Sequence, residues 1–321
     1  MKNTSAALAH SITWKGSKQS YLTARLLVDR DLVDDCLRGY AYFRWADDVI
    51  DLRLDSRERR IAFIARQKML VERLYRGERP EDLYKEEEML ADLIAHDKGP
   101  DTGLGSFIHN FMAVFEFDAN RNGRLVSRRE LSEYTASLAT AVMDGIQYFI
   151  GNGTPYPRTY DRSLAVTGAH LVHMLRDTLE DIPAGFVNIP TEDIQRLGIG
   201  LEDLDGKPFQ TWVQEQSEWA GNCLKEGKRY INSLEVLRCK LAGAWYCARF
   251  EWFLEAFRGD GYRIREAYPE RKSLAAWVEM AGLGFTIMVK HFAGRLLRSL
   301  WHFGPWESME SGGNVSSYRA K

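Results

Sequence analysis

Two acidic clusters lie inside helical patterns: Asp47-Asp48-Val49-Ile50-Asp51 and Asp177-Thr178-Leu179-Glu180-Asp181, with Arg44 shortly before the first and Arg176 immediately before the second. Residues four apart share a helix face, so Asp47 and Asp51 point the same way, as do Asp177 and Asp181. A fold that brings these two faces together has a charge problem to solve. Carboxylates within about 4–6 Å of one another raise each other's pKa sharply unless divalent cations sit between them. Oxygen-only ligands suit Mg²⁺, which takes one or two carboxylates and completes its octahedron with water and substrate phosphate. The spacing therefore predicts a clamp for a diphosphate, with Asp47, Asp48, Asp51, Asp177, Glu180 and Asp181 as metal ligands and roughly two or three Mg²⁺ ions. Arg44 and Arg176 are expected in catalysis, because guanidinium grips phosphate oxygens bidentately while the metals neutralise the remaining charge.

The rest of the chain reads as helix after helix. Periodic segments over 18–29, 31–52, 56–76, 83–97, 104–118, 127–150, 160–182, 208–233, 236–257 and 272–301 are separated mostly by prolines, and no stretch alternates long enough to make a core strand. The expected fold class is all-α, a helical bundle around a central apolar cavity. A single domain over 1–306 is expected, followed by a Ser- and Gly-rich tail over 307–321 that should be frayed. At 100° per residue, His170, His173, Asp177 and Asp181 form one stripe, with Leu164, Leu171, Leu175, Leu179 and Ile182 opposite. The first acidic helix stacks Tyr40 and Arg44 with Asp47 and Asp51, which also points to a lined cavity.

Composition narrows the function. A net charge of −2 over 321 residues gives no reason to expect nucleic acid. Nine Trp, fourteen Tyr and fifteen Phe are enough to fill a core and line a greasy pocket. The four cysteines have no CxxC spacing, which fits reduced thiols and a cytoplasmic protein. The apolar window Ala281–Val289 is far short of the roughly 20 residues needed to span a bilayer, so any membrane contact is expected to be peripheral. Near the C-terminus, Phe292, Leu296, Leu297, Leu300, Trp301, Phe303 and Trp306 run among Lys290, Arg295 and Arg298, a pattern that fits either a membrane-docking surface or a last core helix. The Glu86-Glu87-Glu88 run reads as a solvated helix face.

The segments Tyr40-Ala41-Tyr42-Phe43-Arg44-Trp45-Ala46-Asp47-Asp48-Val49-Ile50-Asp51 and Leu175-Arg176-Asp177-Thr178-Leu179-Glu180-Asp181 resemble the two signature motifs of the squalene/phytoene synthase family. The resemblance covers nearly the whole chain and includes Lys18-Gln19-Ser20-Tyr21, Arg129-Glu130-Leu131-Ser132-Glu133-Tyr134 and the segment from Gly185 to Pro190. It implies the isoprenoid-synthase fold and Mg²⁺-dependent ionisation of a prenyl diphosphate. In typical members, head-to-head joining of two such molecules through a cyclopropyl intermediate follows. It further implies Tyr134 as a catalytic residue steering a proton or cation, and Lys18, Ser20, Tyr21, Tyr40, His170 and Asn188 at the substrate. On the Tyr134 helix, Ser137, Leu138, Ala141 and Gly145 are expected to leave room for a prenyl chain.

Departures from the family pattern gather near the second cluster. Typical members carry Gln and Asn where this chain has His170 and His173, often Arg-Val-Tyr where Phe186-Val187-Asn188 stand, and Tyr where Leu125 stands. Asp144 also stands where the family prefers a small or apolar residue. A histidine in the stripe could donate to phosphate or act as a base, and His173 is a catalytic candidate on that ground. The leading expectation is therefore head-to-head condensation of farnesyl or geranylgeranyl diphosphate. The alternatives are prenyl transfer to a non-isoprenoid acceptor, cyclisation of one chain, or a non-catalytic binding relative. Nothing in the sequence supports NADPH. A carboxylate-bridged di-iron bundle would need Glu-x-x-His pairs, and the chain contains none.

Overall fold

The computed structural model describes residues 4–302 apart from 155 and 273. It contains α1 (Thr4–Gly16), α2 (Lys18–Leu27), α3 (Val33–Leu52), α4 (Arg57–Tyr75), α5 (Glu87–Ala95), α6 (Gly103–Arg121), α7 (Arg128–Ile150), α8 (Leu164–Asp181), α9 (Thr191–Leu197), α10 (Lys207–Ser233), α11 (Leu237–Gly259) and α12 (Leu274–His302). The one β feature among the described residues is an isolated bridge between Arg124 and Phe186. The segment from 307 onward, expected to fray, lies outside the described residues, as do Phe303 and Trp306.

Side-chain caps fix four of the helix starts. Ser17, Ser56, Thr102 and Ser127 each accept the backbone N–H three residues on, which satisfies a donor the helix cannot. At α7 the cap is reciprocal: Glu130 accepts the Ser127 backbone N–H at 2.8 Å. Two helices escape the hydrophobic pattern. α1 fully buries only Ser5, Ala9 and Thr13, a four-residue spacing of small residues that lets it lie close to α3, with Leu8 and Ile12 half-buried against the core. α9 has only seven residues, between Pro190 and the left-handed Gly198.

Six helices close a ring. α3 packs on α6, α6 on α7, α7 on α8, α8 on α11, α11 on α2, and α2 on α3. The remaining long helices buttress it from outside: α1 and α5 behind α3, α4 behind α6, α10 behind α8 and α11, and α12 against α11. On α3 the division of labour follows the helical period. Leu37, Ala41, Tyr42, Trp45 and Ile50 are buried, while Tyr40, Arg44, Asp47 and Asp51 stay at least partly open on one stripe, as predicted. Each large apolar side chain fully buried in this way stabilises the fold by about 1.5–3 kcal/mol.

Two expectations are corrected. Glu87 is not on a solvated face. It is wholly buried and accepts both guanidinium nitrogens of Arg66, the Gln67 amide at 2.8 Å and the Tyr84 backbone N–H at 3.0 Å, so every lone pair finds a donor. Gly145 does not open space for a substrate. A Cβ there would stand 2.7 Å from Phe107 Cδ2, so the glycine is filled by the Phe107 ring, which also rests on Gly39 of α3. Ala141 is fully buried as well. Asp144 is a structural acid: it accepts from Ser106 of α6 at 2.5 Å, from Tyr156 at 3.1 Å and from Arg162, tying the approach to α8 onto α6 and α7.

No described helix is long and apolar enough to cross a membrane. α12 packs through Trp245 of α11, whose indole donates to the Met280 carbonyl at 2.9 Å, and leaves Val278, Phe285, Val289 and Phe292 exposed.

Candidate active site

α3 carries the first acidic cluster to the rim of the ring. Asp47 keeps 47% of its side-chain surface open, so it stands in the wall of a solvent-reachable cleft and not in packed core. Arg44 folds down onto its own cluster, 2.7 Å from Asp48 and 3.8 Å from Asp47. Tyr40 lies two turns below Asp47, and the end of α1 comes beside it: a Cβ on Gly16 would be 3.8 Å from the Tyr40 hydroxyl, an ordinary van der Waals contact.

α8 carries the second cluster, and Arg176 again turns to its own helix, donating to both oxygens of Asp177 at 2.5 and 2.6 Å. Asp181 is held from outside the helix. The chain after α8 turns through Gly185, whose φ of +89° a side chain would strain and whose Cβ would meet the Asn122 amide at 2.9 Å. Asn122 donates to the Ala184 carbonyl at 2.9 Å, and the Gly123 N–H donates to Gly185 at 2.8 Å. This pinning returns buried Asn188 to the cluster, where its amide donates to Asp181 at 2.8 Å.

The link between the clusters comes from α6. Arg121 is buried, donates to Asp118 at 2.7 Å and to the Asn188 carbonyl oxygen at 2.6 Å, and lies 5.1–5.4 Å from the ring centres of Phe117, Tyr134 and Phe186. Tyr134 of α7 donates to the other Asp118 oxygen at 3.2 Å. Asp118 and Arg121 are absent from the residues the sequence singled out. The available signal was Asp118 itself, a lone acid seven residues beyond Phe111 on the apolar face of α6. Phe186 occupies a place where typical family members carry arginine, and the Arg121 guanidinium beside its ring supplies a cation there from α6.

The electrostatics show how closely the acidic faces are drawn together. Asp47 is pushed up to about 7, first by desolvation and then by the Asp51 charge, with Asp118 adding to it. Asp181 also rises to about 7, by desolvation, then by Asp177, with Asp118 and Asp51 contributing across the ring. Asp51 is raised by desolvation and by Asp118. Among the described residues, no three His, Cys, Asp or Glu side chains converge closely enough to hold a metal ion by themselves. Oxygen donors on two facing walls, each too charged to stay ionised together, fit a cation whose coordination is completed by phosphate oxygens.

The remaining predicted residues are placed as follows. Glu180 is exposed. Lys18 is exposed and lies over the Trp14 ring, while Ser20 is engaged through its backbone in the Ser17 cap. Tyr21 packs edge-on against Trp14 and contacts His10 at 3.2 Å. His170 is buried against Tyr134 and half-buried His173 packs against Phe250 of α11, and desolvation holds both rings neutral, with pKa values lowered to about 3. The four cysteines carry no disulfide.

The family model described as squalene/phytoene synthase matches residues 14–277. The chain belongs to the squalene/phytoene synthase family. Like its relatives in this family, it is a transferase of prenyl groups. Its fold is similar to that of a crystallised dehydrosqualene synthase, with a TM-score of 0.67 and 17% identity over 90% of this chain and 97% of that one. It is also similar to the squalene synthase HpnC from Alicyclobacillus acidocaldarius, with a TM-score of 0.62 and 18% identity over 81% of this chain and 95% of that one. No curated protein matches the chain in sequence. A squalene/phytoene synthase fold accounts for the ring of helices and for the two acidic motifs on opposite walls of it.

Proposed function

We propose that the protein ionises an allylic prenyl diphosphate with the help of Mg²⁺ and joins the resulting chain head to head with a second prenyl diphosphate of farnesyl or geranylgeranyl length. The observation that carries this reading is that Asp47 on α3 and Asp181 on α8 are both raised, after desolvation and their own-helix neighbours, by the Asp118 charge, with the Arg121–Asn188 bridge beside it. Mg²⁺ held by Asp47, Asp51, Asp177 and Asp181 would supply neutralisation of the charge that grows on the departing diphosphate. Arg44 and Arg176 pair with their own clusters and can turn to phosphate oxygens when a ligand competes for those carboxylates.

The chain's own residues then confine the cation. Tyr134 and Phe117 stack at 4.9 Å, with Arg121 over both, so the aromatic wall is fixed in place. Burial and the Asp118 charge hold the Tyr134 phenol well above its ordinary pKa, so it stays protonated. Half-buried Leu138 and Val142 on the same helix, with Phe111 of α6, continue an apolar surface that excludes water.

A peripheral contact with a bilayer is part of the reading, supported by the exposed apolar residues of α12, and co-sedimentation with anionic vesicles tests it. The reaction is tested by incubating the purified protein with dimethylallyl, geranyl, farnesyl and geranylgeranyl diphosphates, with Mg²⁺ or chelator, with and without NADPH, and identifying products by mass. A C30 or C40 product that requires the metal is expected. Diphosphate release without it would shift the reading to transfer onto a non-isoprenoid acceptor, which the two histidines on α8 favour. No turnover of any allylic diphosphate would overturn the proposal.

A further inference from the structure

One face of α8 descends from Asp177 through His173 to His170, about 6 Å and about 10 Å lower along the helix. The upper part of this face is fully engaged, Asp177 by Arg176 and Asp181 by Asn188. The lower part is not. The Nε2 atoms of His170 and His173 are both buried and have no hydrogen-bond partner among the described residues. Leaving such an atom unsatisfied costs about 1–3 kcal/mol, which a fold tolerates where a ligand will use it. The two rings look into the ring of helices and not outward: His170 meets Tyr134 of α7 at 5.1 Å and His173 meets Phe250 of α11 at 4.8 Å.

We propose that His170 and His173 are the proton acceptor of the coupling step. The inference rests on the reading above, that an allylic cation is formed beside Asp177. The balance is as follows. The donor's C1–O bond breaks and diphosphate leaves with the electron pair. C1 adds to C2 of the acceptor chain's double bond, leaving the positive charge on acceptor C3. Closing the three-membered ring between C1 and C3 uses the electron pair of a C1–H bond, and the proton from that bond passes to an imidazole Nε2. With its single proton on Nδ1, each neutral ring offers Nε2 as a lone pair.

The surroundings keep that lone pair available. Desolvation comes first for both rings. For His170 the facing groups are His173, Arg121 and the protonated Tyr134; for His173 they are Arg176 and Arg249. A weak base suffices, because a proton beside a carbocation is strongly acidic and position decides which base receives it. Tyr134 is poorly suited to the task, since its hydroxyl is protonated and donates to Asp118.

The test uses the full chain with farnesyl diphosphate and Mg²⁺, following diphosphate release and coupled product separately for wild type, His170→Gln and His173→Gln, with thermal unfolding as the check on folding. At least one variant should keep diphosphate release within about threefold yet lose about a hundred-fold in coupling, with released chains appearing as the alcohol. Farnesyl diphosphate deuterated at C1 should show a larger isotope effect on coupling in that variant than in wild type, a readout that a packing role would not move. Unchanged coupling and isotope effect in both variants would overturn the proposal and leave diphosphate as the base. A wild-type enzyme that releases diphosphate without coupling would overturn it too while leaving ionisation standing. No diphosphate release from wild type would overturn the ionisation reading itself, and this inference with it.

Discussion

Asn188 donates to Asp181 at 2.8 Å while its carbonyl oxygen accepts from Arg121 at 2.6 Å, so one buried amide fixes the last carboxylate of α8 to the end of α6. Among the described residues the Asp181 carboxylate has no other hydrogen-bond donor, and its orientation depends on this contact. Replacing Asn188 with Ala should free the carboxylate to rotate. Outer-sphere partners of this kind typically contribute 10- to 100-fold in metal affinity. Asn188→Ala is therefore expected to raise the Mg²⁺ concentration for half-maximal activity by about ten-fold or more, with smaller change at saturating metal. A Mg²⁺ titration of turnover measures it, and an unchanged midpoint would remove Asn188 from the site.

The raised carboxylates make a prediction about pH. Asp47 and Asp181 titrate near 7 in the metal-free fold, whereas unfolded aspartates titrate near about 3.9. Between these values the native state holds protons that the unfolded state does not, so their contribution to stability is complete below about pH 4 and is lost as pH rises through about 7. In chelator, the melting temperature should fall from pH 5 to pH 8 on account of these groups. Mg²⁺ should raise it more at pH 8, where no proton competes for the carboxylates. Scanning fluorimetry at both pH values checks this, and equal stabilisation by Mg²⁺ at pH 5 and pH 8 would contradict it.

What the sequence revealed, and what it hid, follows from which signals are local. The α3 and α8 stripes were legible because helix geometry alone decides that Asp47 faces with Asp51 and His170 with Asp177. Ten of the α-helices follow from periodicity and punctuation. α1 and α9 do not, one because it fully buries only small residues and the other because it is too short for a pattern. The partnership of Asp118 and Arg121 was hidden for a different reason: it spans α6, α7 and the turn after α8, and no window of sequence contains it. Glu87 misled for the same reason, since its neighbours are charged but its partners lie on α4.

Asp118 gives a prediction in which stability and the site move together. Its carboxylate is mostly buried, accepts from Arg121 and Tyr134, and its charge raises Asp47, Asp51 and Asp181. Asp118→Asn leaves the Arg121 guanidinium without its counter-charge, and breaking a buried pair costs about 3–5 kcal/mol. The same change removes a negative charge from the acidic site, so Asp47 and Asp181 should titrate lower and the acid limb of the Mg²⁺-dependent rate should move to lower pH. Denaturant unfolding and a pH–rate profile test the two halves separately. A variant as stable as wild type would show that Arg121 does not depend on this partner.

Gly145 offers a test of how the inside of the ring is filled. The Phe107 ring lies against Gly145 on α7 and Gly39 on α3, and a Cβ at 145 would come within 2.7 Å of it. Gly39 has more tolerance, with the ring 3.5 Å from its own notional Cβ. Phe107 is also held edge-on by Phe43 at 5.1 Å and Phe149 at 6.1 Å, so it cannot swing aside without disturbing both. Gly145→Ala should therefore destabilise the protein by about 1–3 kcal/mol through overpacking, even though alanine favours a helix. Pairing it with Phe107→Leu, which withdraws the ring, should recover much of the loss, and a double-mutant cycle in denaturant reads the coupling directly. If Gly145→Ala stabilised the protein instead, the glycine would be an ordinary helix position, and the space it leaves would be open to a prenyl chain after all.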